Sequence, residues 1–329
     1  MPSERCANTG RIHMEKCEKI WFNGKLVDWN DAKVHVLAHA LNYGTGVFEG
    51  IRVYNTPKGP AIFRLKDHAK RLVDGCKMMG IDLVFDGKEY TYQMVMDAIK
   101  EAVRANKNVD YVKPCIFLSG EEVGLNPVGV PASFAITCIN MGAYLGKNAT
   151  AGIKLVTSSW QRPDYLCGPA GAKVNGSYVA SCLAKREAIR QGANEAVMLN
   201  KEGHVAECTG ENIFMYKFGK VFTPSVAEGI LQGVTRASII QIAKDLGYEV
   251  CECPVTRFQL TTADEVRYRR GSRPRHRDRR PYGRRREARR DLREDPSEIF
   301  RHRYRQGPQV RRLARLRRVK LFKGRKALF

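Results

Sequence analysis

The sequence predicts an α+β fold in which two compact units follow each other along the chain. Short apolar strands alternate with amphipathic helices over most of the 329 residues, the pattern of mixed rather than all-helical or all-strand proteins. A connector over 141–147, with Gly142 and Gly146, separates two such series. We therefore expect an N-terminal domain over 14–140, an interdomain loop over 141–147 and a second domain over 148–266.

Each unit contains its own strands and helices. The pair Asn23-Gly24 between two apolar runs is typical of a tight hairpin turn. Ala69, Leu72 and Met79 fall on one side of a helical projection. The predicted segments are strands at 20–22, 25–27, 47–54, 61–63, 111–119, 133–140, 153–158, 195–199, 212–216 and 248–253, helices at 66–79, 92–105, 176–191 and 235–246, and a hairpin turn at 201–203.

Composition argues against membrane-spanning and disulfide-rich proteins. No apolar run approaches the roughly 20 residues that span a bilayer. The ten cysteines are scattered without paired spacing, which predicts reduced thiols in a cytoplasmic protein. Cys251 and Cys253 are the closest two, and because no second pair lies near them we predict no metal site. Residues 1–13 are polar and patternless, so we expect a disordered or mis-started leader, with Met14 as an alternative start.

The stretch around Lys173 places one lysine in a loop of small residues that enters a predicted helix. A neutral lysine amine attacks aldehydes, and burial favours the neutral form. An ordinary solvent-exposed lysine is the alternative on residue type alone. Tyr178, five residues on, is near enough to hydrogen-bond whatever the lysine holds, although it can equally be a core tyrosine.

Two later stretches have equally open interpretations. Glu207 leaves a predicted strand beside Thr209 and Gly210, where a carboxylate either pairs with a ring nitrogen or simply ends a hairpin. Residues 230–236 open a helix with Thr235 in its first turn. Free backbone N–H groups and a hydroxyl there suit a phosphate, but an ordinary threonine cap is the alternative.

Together and in this order, the motifs resemble those of one enzyme family. The first signature of branched-chain amino acid aminotransferases, which are fold type IV pyridoxal-phosphate enzymes, closely resembles His39-Ala-Leu-Asn-Tyr43-Gly-Thr-Gly-Val-Phe48-Glu-Gly-Ile-Arg52. The stretches at Lys173, Glu207 and 233–235 match that family in order and spacing. D-amino acid aminotransferases and aminodeoxychorismate lyases share the fold, but their first signature differs. The resemblance covers about residues 19–266.

The resemblance implies a fold, a reaction and a cofactor. The fold is a small α/β domain followed by a larger domain with a barrel-like β core, in a homodimer or higher homo-oligomer. The reaction is transamination of L-leucine, L-isoleucine or L-valine with 2-oxoglutarate, through a pyridoxal 5'-phosphate Schiff base on Lys173. Lys173 would also shuttle the proton between the substrate Cα and the cofactor.

The remaining site residues are assigned by the same resemblance. Glu207 would keep the pyridine nitrogen protonated, and Tyr178 would hydrogen-bond the ring hydroxyl. Leu231 would pack on the ring. Arg71 and the backbone N–H groups of Val234 and Thr235 would hold the phosphate.

The resemblance also implies a substrate pocket. Tyr43, Phe48 and Tyr111 would line its apolar part, and Arg52 and Lys113 would complete the substrate site. Some relatives have Arg at the Lys113 position. Lysine keeps the charge but lacks the bidentate fork for the second carboxylate of a dicarboxylate, which puts the usual 2-oxoglutarate contact in question.

The last segment of the chain differs sharply in charge. Residues 267–329 hold 26 basic and six acidic residues, a net of +20, whereas residues 1–266 hold 31 basic and 28 acidic residues, a net of +3. One interpretation is a basic arm that binds nucleic acid. The other is translation out of frame, because shifted codons for 267–291 permit a Gly-Thr-Ala-Ala-Glu loop that the family has at this point. We expect the second, with a disordered tail and no nucleic-acid or membrane partner.

Overall fold

The first unit is built on one antiparallel sheet. A computed structural model describes residues 14–141 and 153–268 of the chain. The elements of the first unit are β1 (Glu15–Phe22), β2 (Lys25–Asp28), α1 (His39–Tyr43), β3 (Gly46–Phe48), β4 (Ile51–Thr56), β5 (Gly59–Ile62), α2 (Leu65–Met79), β6 (Val84–Phe85), β7 (Lys88–Glu89), α3 (Tyr92–Arg104), β8 (Tyr111–Leu118) and β9 (Ala132–Asn140). The sheet order is β2-β1-β9-β8-β4-β5, and β3 also pairs with β8.

One continuous core joins this sheet to α2 and α3. Leu72 of α2 and Ile99 of α3 are fully buried, as are Ile116 and Phe134 on the strands. Thr91 caps α3 by accepting a hydrogen bond from the Met94 N–H, which satisfies one of the free donors of the first turn. The apolar spacing that predicted α2 therefore corresponds to its buried face, where Ala69 and Leu72 lie.

The second unit has smaller sheets. Its elements are β10 (Leu155–Thr157), α4 (Tyr178–Arg190), β11 (Glu195–Leu199), β12 (Val205–Cys208), β13 (Ile213–Lys217), β14 (Lys220–Thr223), α5 (Val234–Asp245), β15 (Val250–Glu252), α6 (Arg257–Thr261) and β16 (Glu265–Tyr268). They form a three-stranded sheet, β10-β11-β12, and a four-stranded sheet, β15-β14-β13-β16. The predicted α+β class is confirmed. The described residues form these open sheets and do not show the expected barrel-like core.

The structure differs from the predicted elements in three respects. The strand predicted over 47–54 is broken between Phe48 and Ile51. The Glu49 N–H still donates to the Pro114 carbonyl of β8 (2.9 Å), but proline has no N–H to donate in return, so the pairing stops there. The helix predicted from 176 begins at Tyr178. The elements α1, β6, β7, β14 and α6 were not predicted, since each is too short to show a clear hydrophobic period.

Several predictions concern residues at the margins of the described ranges. The leader over 1–13, the connector beyond Met141 and the tail from 269 lie outside the described residues. Strand β16 continues past the change in composition at Val266, and Arg267 pairs with Phe214 of β13. The domain limits themselves stay predictions. Within the described ranges no helix is both long and apolar enough to cross a membrane.

Candidate active site

The loop that carries Lys173 is held by the first unit, although it precedes the helices of the second. The Phe48 N–H donates to the Lys173 carbonyl (3.0 Å), and the Asn175 N–H donates to the Gly46 carbonyl (2.9 Å). Val174 is buried in the core of the first unit. Strand β3 therefore fixes the backbone on both sides of the lysine, and the lysine lies where the two units meet.

The amine of Lys173 lies among aromatic rings. It donates a hydrogen bond to the Tyr178 hydroxyl and lies 4.7 Å from the centre of the Phe48 ring. The Phe48 and Tyr178 rings meet edge to face, with centres 5.0 Å apart. The Lys113 amine lies 5.1 Å from the Phe48 ring centre. Four of the predicted site residues thus form one cluster around Phe48.

Glu207 lies buried on β12, where three groups contact its carboxylate. Asn212 Nδ2 donates to Oε2 (2.9 Å), and the Leu231 N–H donates to the same oxygen (3.3 Å). Arg162 Nε lies 2.9 Å from Oε1. Burial raises the pKa of the Glu207 carboxyl, and the charge of Arg162 is the first of the effects that oppose this rise. The carboxylate is therefore held in place, but its neighbours only partly offset the cost of burying its negative charge.

The start of α5 leaves its first backbone donors without a side-chain cap. The N-cap residue is Gly233, and no side chain caps the helix. A Cβ added to Gly233 would overlap the Asn212 amide, so this close approach requires glycine. Val234 and Thr235 form the first turn, and the positive end of the helix faces any anion placed there.

Arg71 of α2 reaches the segment just before α5. Its Nη1 donates to the Gln232 carbonyl (2.7 Å). Its other edge contacts Glu49, through Nε to Oε1 (2.5 Å) and Nη2 to Oε2 (2.7 Å). Burial lowers the pKa of Arg71, but Glu49 first and then Tyr178 and Glu207 raise it, with a net rise. Arg71 is thus close enough to interact electrostatically with both Tyr178, beside Lys173, and Glu207.

Glu49 is a fully buried anion. His68 Nδ1 lies 2.7 Å from its Oε2. Burial alone would raise the pKa of the Glu49 carboxyl, but Arg71 and His68 together lower it to about 2. Neither Glu49 nor His68 was predicted as a site residue from the sequence. The sequence reasoning did not connect them because 19 residues and an intervening hairpin separate them.

The predicted substrate residues are only partly brought together. Arg52 and Tyr111 are opposite each other on β4 and β8. Arg52 is buried, with Nη1 3.8 Å from Asp110 Oδ1. Tyr111 packs its hydroxyl against Gly50, where an added Cβ would overlap it. The Tyr43 hydroxyl instead accepts a hydrogen bond from the Gly124 N–H (3.1 Å), so its side chain contacts the 120–128 loop.

Arg162 and Asn212 are two further site residues that the sequence did not indicate. Arg162 lies in a loop after β10 and meets Glu207 45 residues later in the chain, so no local period marks it. Asn212 also donates to the Leu231 carbonyl (2.9 Å) and so joins β13 to the segment before α5. Among the described residues, no group of three or more His, Cys, Asp or Glu converges on a possible metal position.

Comparison with known proteins places this arrangement in a family. Residues 46–268 match the amino-transferase class IV family. A branched-chain-amino-acid aminotransferase of Pseudomonas aeruginosa is 43% identical over 250 residues, which are 75% of this chain and 79% of that protein.

Solved structures give the same result. A branched-chain aminotransferase from Thermoproteus uzoniensis with norvaline has a TM-score of 0.72 and 41% identity, covering 77% of this chain and 83% of that one. A branched-chain amino acid aminotransferase from Thermobaculum terrenum in its PLP-form has a TM-score of 0.69 and 32% identity, covering 77% and 81%. The chain belongs to the class IV aminotransferases and is an enzyme of the branched-chain-amino-acid aminotransferase family.

Proposed function

We propose that the protein transfers the amino group of L-leucine, L-isoleucine or L-valine to 2-oxoglutarate, using pyridoxal 5'-phosphate held on Lys173. The observation that carries this proposal is the position of the Lys173 amine. It lies between the Tyr178 hydroxyl and the Phe48 ring, on a loop whose backbone β3 of the first unit holds in place. Relatives and solved structures named as branched-chain aminotransferases support the substrate class.

The residues present fit the parts of pyridoxal phosphate one by one. The site offers the amine of Lys173, the hydroxyl of Tyr178, the buried carboxylate of Glu207 and the uncapped start of α5. These groups are close together, since the charges of Lys173 and Arg71 both lower the pKa of Glu207. Lys173 would hold the cofactor, Glu207 would face its ring nitrogen, and Arg71 with the Val234 and Thr235 N–H groups would bind its phosphate. When bound, the cofactor supplies an aldehyde and a ring that accepts electrons.

The side chains of the site divide the work of amino transfer. The Lys173 amine would take the proton from the substrate Cα and deliver it to the cofactor during amino transfer. Tyr178 orients this amine through its hydroxyl. Glu207 holds a negative charge in a buried place, where it favours a protonated ring nitrogen opposite it. Leu231, whose N–H is bound to Glu207, would pack against the ring.

The substrate contacts follow from the same cluster. Phe48, Tyr111 and Tyr43 are aromatic and would border a branched apolar side chain. Arg52 and Lys113 carry the positive charges for carboxylates. Because Lys113 donates from one point rather than from a fork, we expect it to hold the second carboxylate of 2-oxoglutarate more loosely than arginine would.

Cofactor attachment to Lys173 is the first test. Purified protein mixed with pyridoxal phosphate should gain the absorbance band of a lysine-bound cofactor, and borohydride should fix the cofactor to the peptide that contains residue 173. Lys173→Ala should lose both signals, while Lys113→Ala, which removes the other amine beside Phe48, should keep them. Attachment that survives Lys173→Ala would overturn the assignment.

Amino transfer is the second test. With 2-oxoglutarate present, L-leucine, L-isoleucine and L-valine should each yield glutamate, and D-alanine should not. Turnover of D-alanine with none of the three branched L-amino acids would contradict the proposed substrate class.

We also propose that the enzyme is a homodimer or larger homo-oligomer. Large apolar side chains are exposed on two adjoining segments, around α1 and over the 120–128 loop: Val36, Leu37, Leu41, Val123, Leu125 and Val128. A second copy covering this face would bury a patch that monomers rarely expose. Leu125→Glu should reduce the mass in solution measured by light scattering, whereas Phe218→Glu, at an exposed turn elsewhere, should not.

A cytoplasmic location is part of the same proposal. The nine cysteines within the described ranges are free thiols, as expected in a reducing compartment. Oxidative labelling of thiols in intact cells checks it, and extensive disulfide formation would contradict it.

The Arg-rich segment is proposed to be translated out of frame. Its composition change lies at residue 267, and the family match ends at Tyr268. A changed segment would lack the expected phosphate and carboxylate loop, so the activity of the chain should rise when the frame is restored. Resequencing the gene across codon 266 tests this directly, since an uninterrupted frame would favour a genuine basic arm.

A further inference from the structure

The Glu49 carboxylate is a buried anionic group that the proposed reaction does not use. It lies in the break between β3 and β4, and its residue is 0% exposed. Its backbone N–H is fixed by the Pro114 carbonyl. Its oxygens accept from two side chains of α2, His68 and Arg71. The carboxylate thus has little freedom to move.

The hydrogen bonds define the direction in which Arg71 points. An ionised carboxylate only accepts, so His68 donates through Nδ1, and Arg71 donates through the Nε and Nη2 edge of its planar fork. Nη1 donates across the unit boundary to Gln232. Three of the five guanidinium N–H groups are used in this way. One further N–H group remains on Nη1 and one on Nη2, where they can donate to another acceptor.

A purely structural pair would not need this arrangement. Buried ion pairs contribute little to stability on average and can often be replaced by apolar residues. This pair, however, ends in a guanidinium that contacts the second unit and whose side chain remains 14% exposed. Such a geometry resembles the outer partners that orient the groups which bind a ligand.

We propose that Glu49, oriented by His68, is a positioning residue for Arg71. Glu49 holds the Arg71 guanidinium toward the start of α5, where the guanidinium binds the phosphate group of the cofactor. The inference rests on the proposed function. It assigns no chemistry to Glu49 itself. Its consequence is that Glu49 should influence affinity for the phosphate group and leave affinity for the rest of the cofactor nearly unchanged.

The test compares pyridoxal phosphate with pyridoxal, which lacks the phosphate. We define the preference for pyridoxal phosphate as the dissociation constant of pyridoxal divided by that of pyridoxal phosphate, both measured with the full-length protein. This ratio isolates the contribution of the phosphate group to binding. Both constants come from the lysine-bound absorbance band. Glu49→Gln should lower this preference about tenfold, the size typical of losing an outer partner, and Arg71→Lys should lower it similarly. In the double variant the two effects should not add.

A matched control removes a carboxylate that lies away from this pair. Glu101→Gln makes the same substitution at a side chain that accepts from Trp21 Nε1 (2.9 Å). It should keep the preference for pyridoxal phosphate unchanged. A loss in Glu101→Gln as large as that in Glu49→Gln would show that the effect is not specific to the Glu49–Arg71 pair.

The outcomes separate the inference from the proposed function. If the unsubstituted protein forms the band and Glu49→Gln weakens both ligands equally, Glu49 is only structural and the inference fails alone. If the unsubstituted protein shows no preference for pyridoxal phosphate, both fail. Should Glu49→Gln not fold, His68→Gln, which keeps the Glu49–Arg71 pair, is expected to lower the preference about threefold, as for one lost hydrogen bond. An unchanged preference in that variant would overturn the inference.

Discussion

Two buried carboxylates, one in each unit, pair with arginine and have opposite pKa shifts. Glu49 accepts two hydrogen bonds from Arg71 and one from His68, and its pKa falls to about 2. Glu207 meets Arg162 through one close atom pair and otherwise accepts from neutral donors. Burial raises the pKa of Glu207 despite these contacts.

The difference shows that the number and geometry of cationic donors decide the outcome, because both carboxylates are buried and both face a guanidinium. Glu49 is already satisfied, so it is suited to hold another residue in place. Glu207 retains a charge that its protein partners do not fully compensate. A protonated ring nitrogen facing it would supply the missing partner, which is the role proposed for it.

The largest expected effect on stability comes from removing the cation beside Glu207. Arg162→Met leaves a buried carboxylate without its ionic partner, which should lower the free energy of unfolding by about 3–5 kcal/mol. Urea unfolding monitored by fluorescence measures this. Adding Glu207→Leu to Arg162→Met should restore much of the loss, since no buried charge remains. If Arg162→Met alone were as stable as the unsubstituted protein, the buried Glu207 carboxylate would not need Arg162 for its stabilisation.

The support of Glu207 by Asn212 can be broken through Gly233. Gly233→Ala would place a methyl group against the Asn212 amide and should destabilise the protein by about 1–3 kcal/mol, as overpacking does. Thermal unfolding measures it. Gly171→Ala, where the nearest heavy atom would be 3.9 Å away, is the matched control and should be nearly neutral. Equal melting temperatures for the two variants would argue against the tight contact.

The pH dependence of stability should separate the two carboxylates by sign. The pKa of Glu49 is lowered from 4.5, so its stabilising effect is full above that value and is lost as the pH falls toward 2. The destabilisation caused by Glu49→Gln should therefore shrink between about pH 7 and about pH 3, by about 2 kcal/mol.

Glu207 should behave in the opposite way. Its pKa is raised from 4.5, so the stability that comes with its protonated form is present below that value and is lost as the pH rises through the raised pKa. The destabilisation caused by Glu207→Gln should therefore be smaller at about pH 7 than at about pH 3. Unfolding curves across this pH range measure the destabilisation of both variants. If the destabilisation changed with pH in the same direction in Glu49→Gln and Glu207→Gln, the contrast between the two carboxylates would be contradicted.

The sequence predicted those features that depend on local pattern. The hairpin at Asn23-Gly24, the buried face of α2 and the lysine loop all follow from residues close together in the chain. The pairs Glu49–Arg71 and Glu207–Arg162 join residues 22 and 45 positions apart, on different elements, so no periodicity indicates them. The break at Glu49 was missed because apolar residues on both sides imitate one continuous strand.

We propose that Glu207 serves the chemistry whereas Glu49 serves cofactor binding. Single-turnover reaction of L-leucine with each variant, at saturating pyridoxal phosphate, tests it most directly. Glu207→Gln should slow amino transfer by at least about 100-fold, because the charge that favours a protonated ring is lost, whereas Glu49→Gln should stay within about threefold of the unsubstituted rate once its weaker binding is saturated. Equal losses in the two variants, or an unchanged rate in Glu207→Gln, would contradict the account.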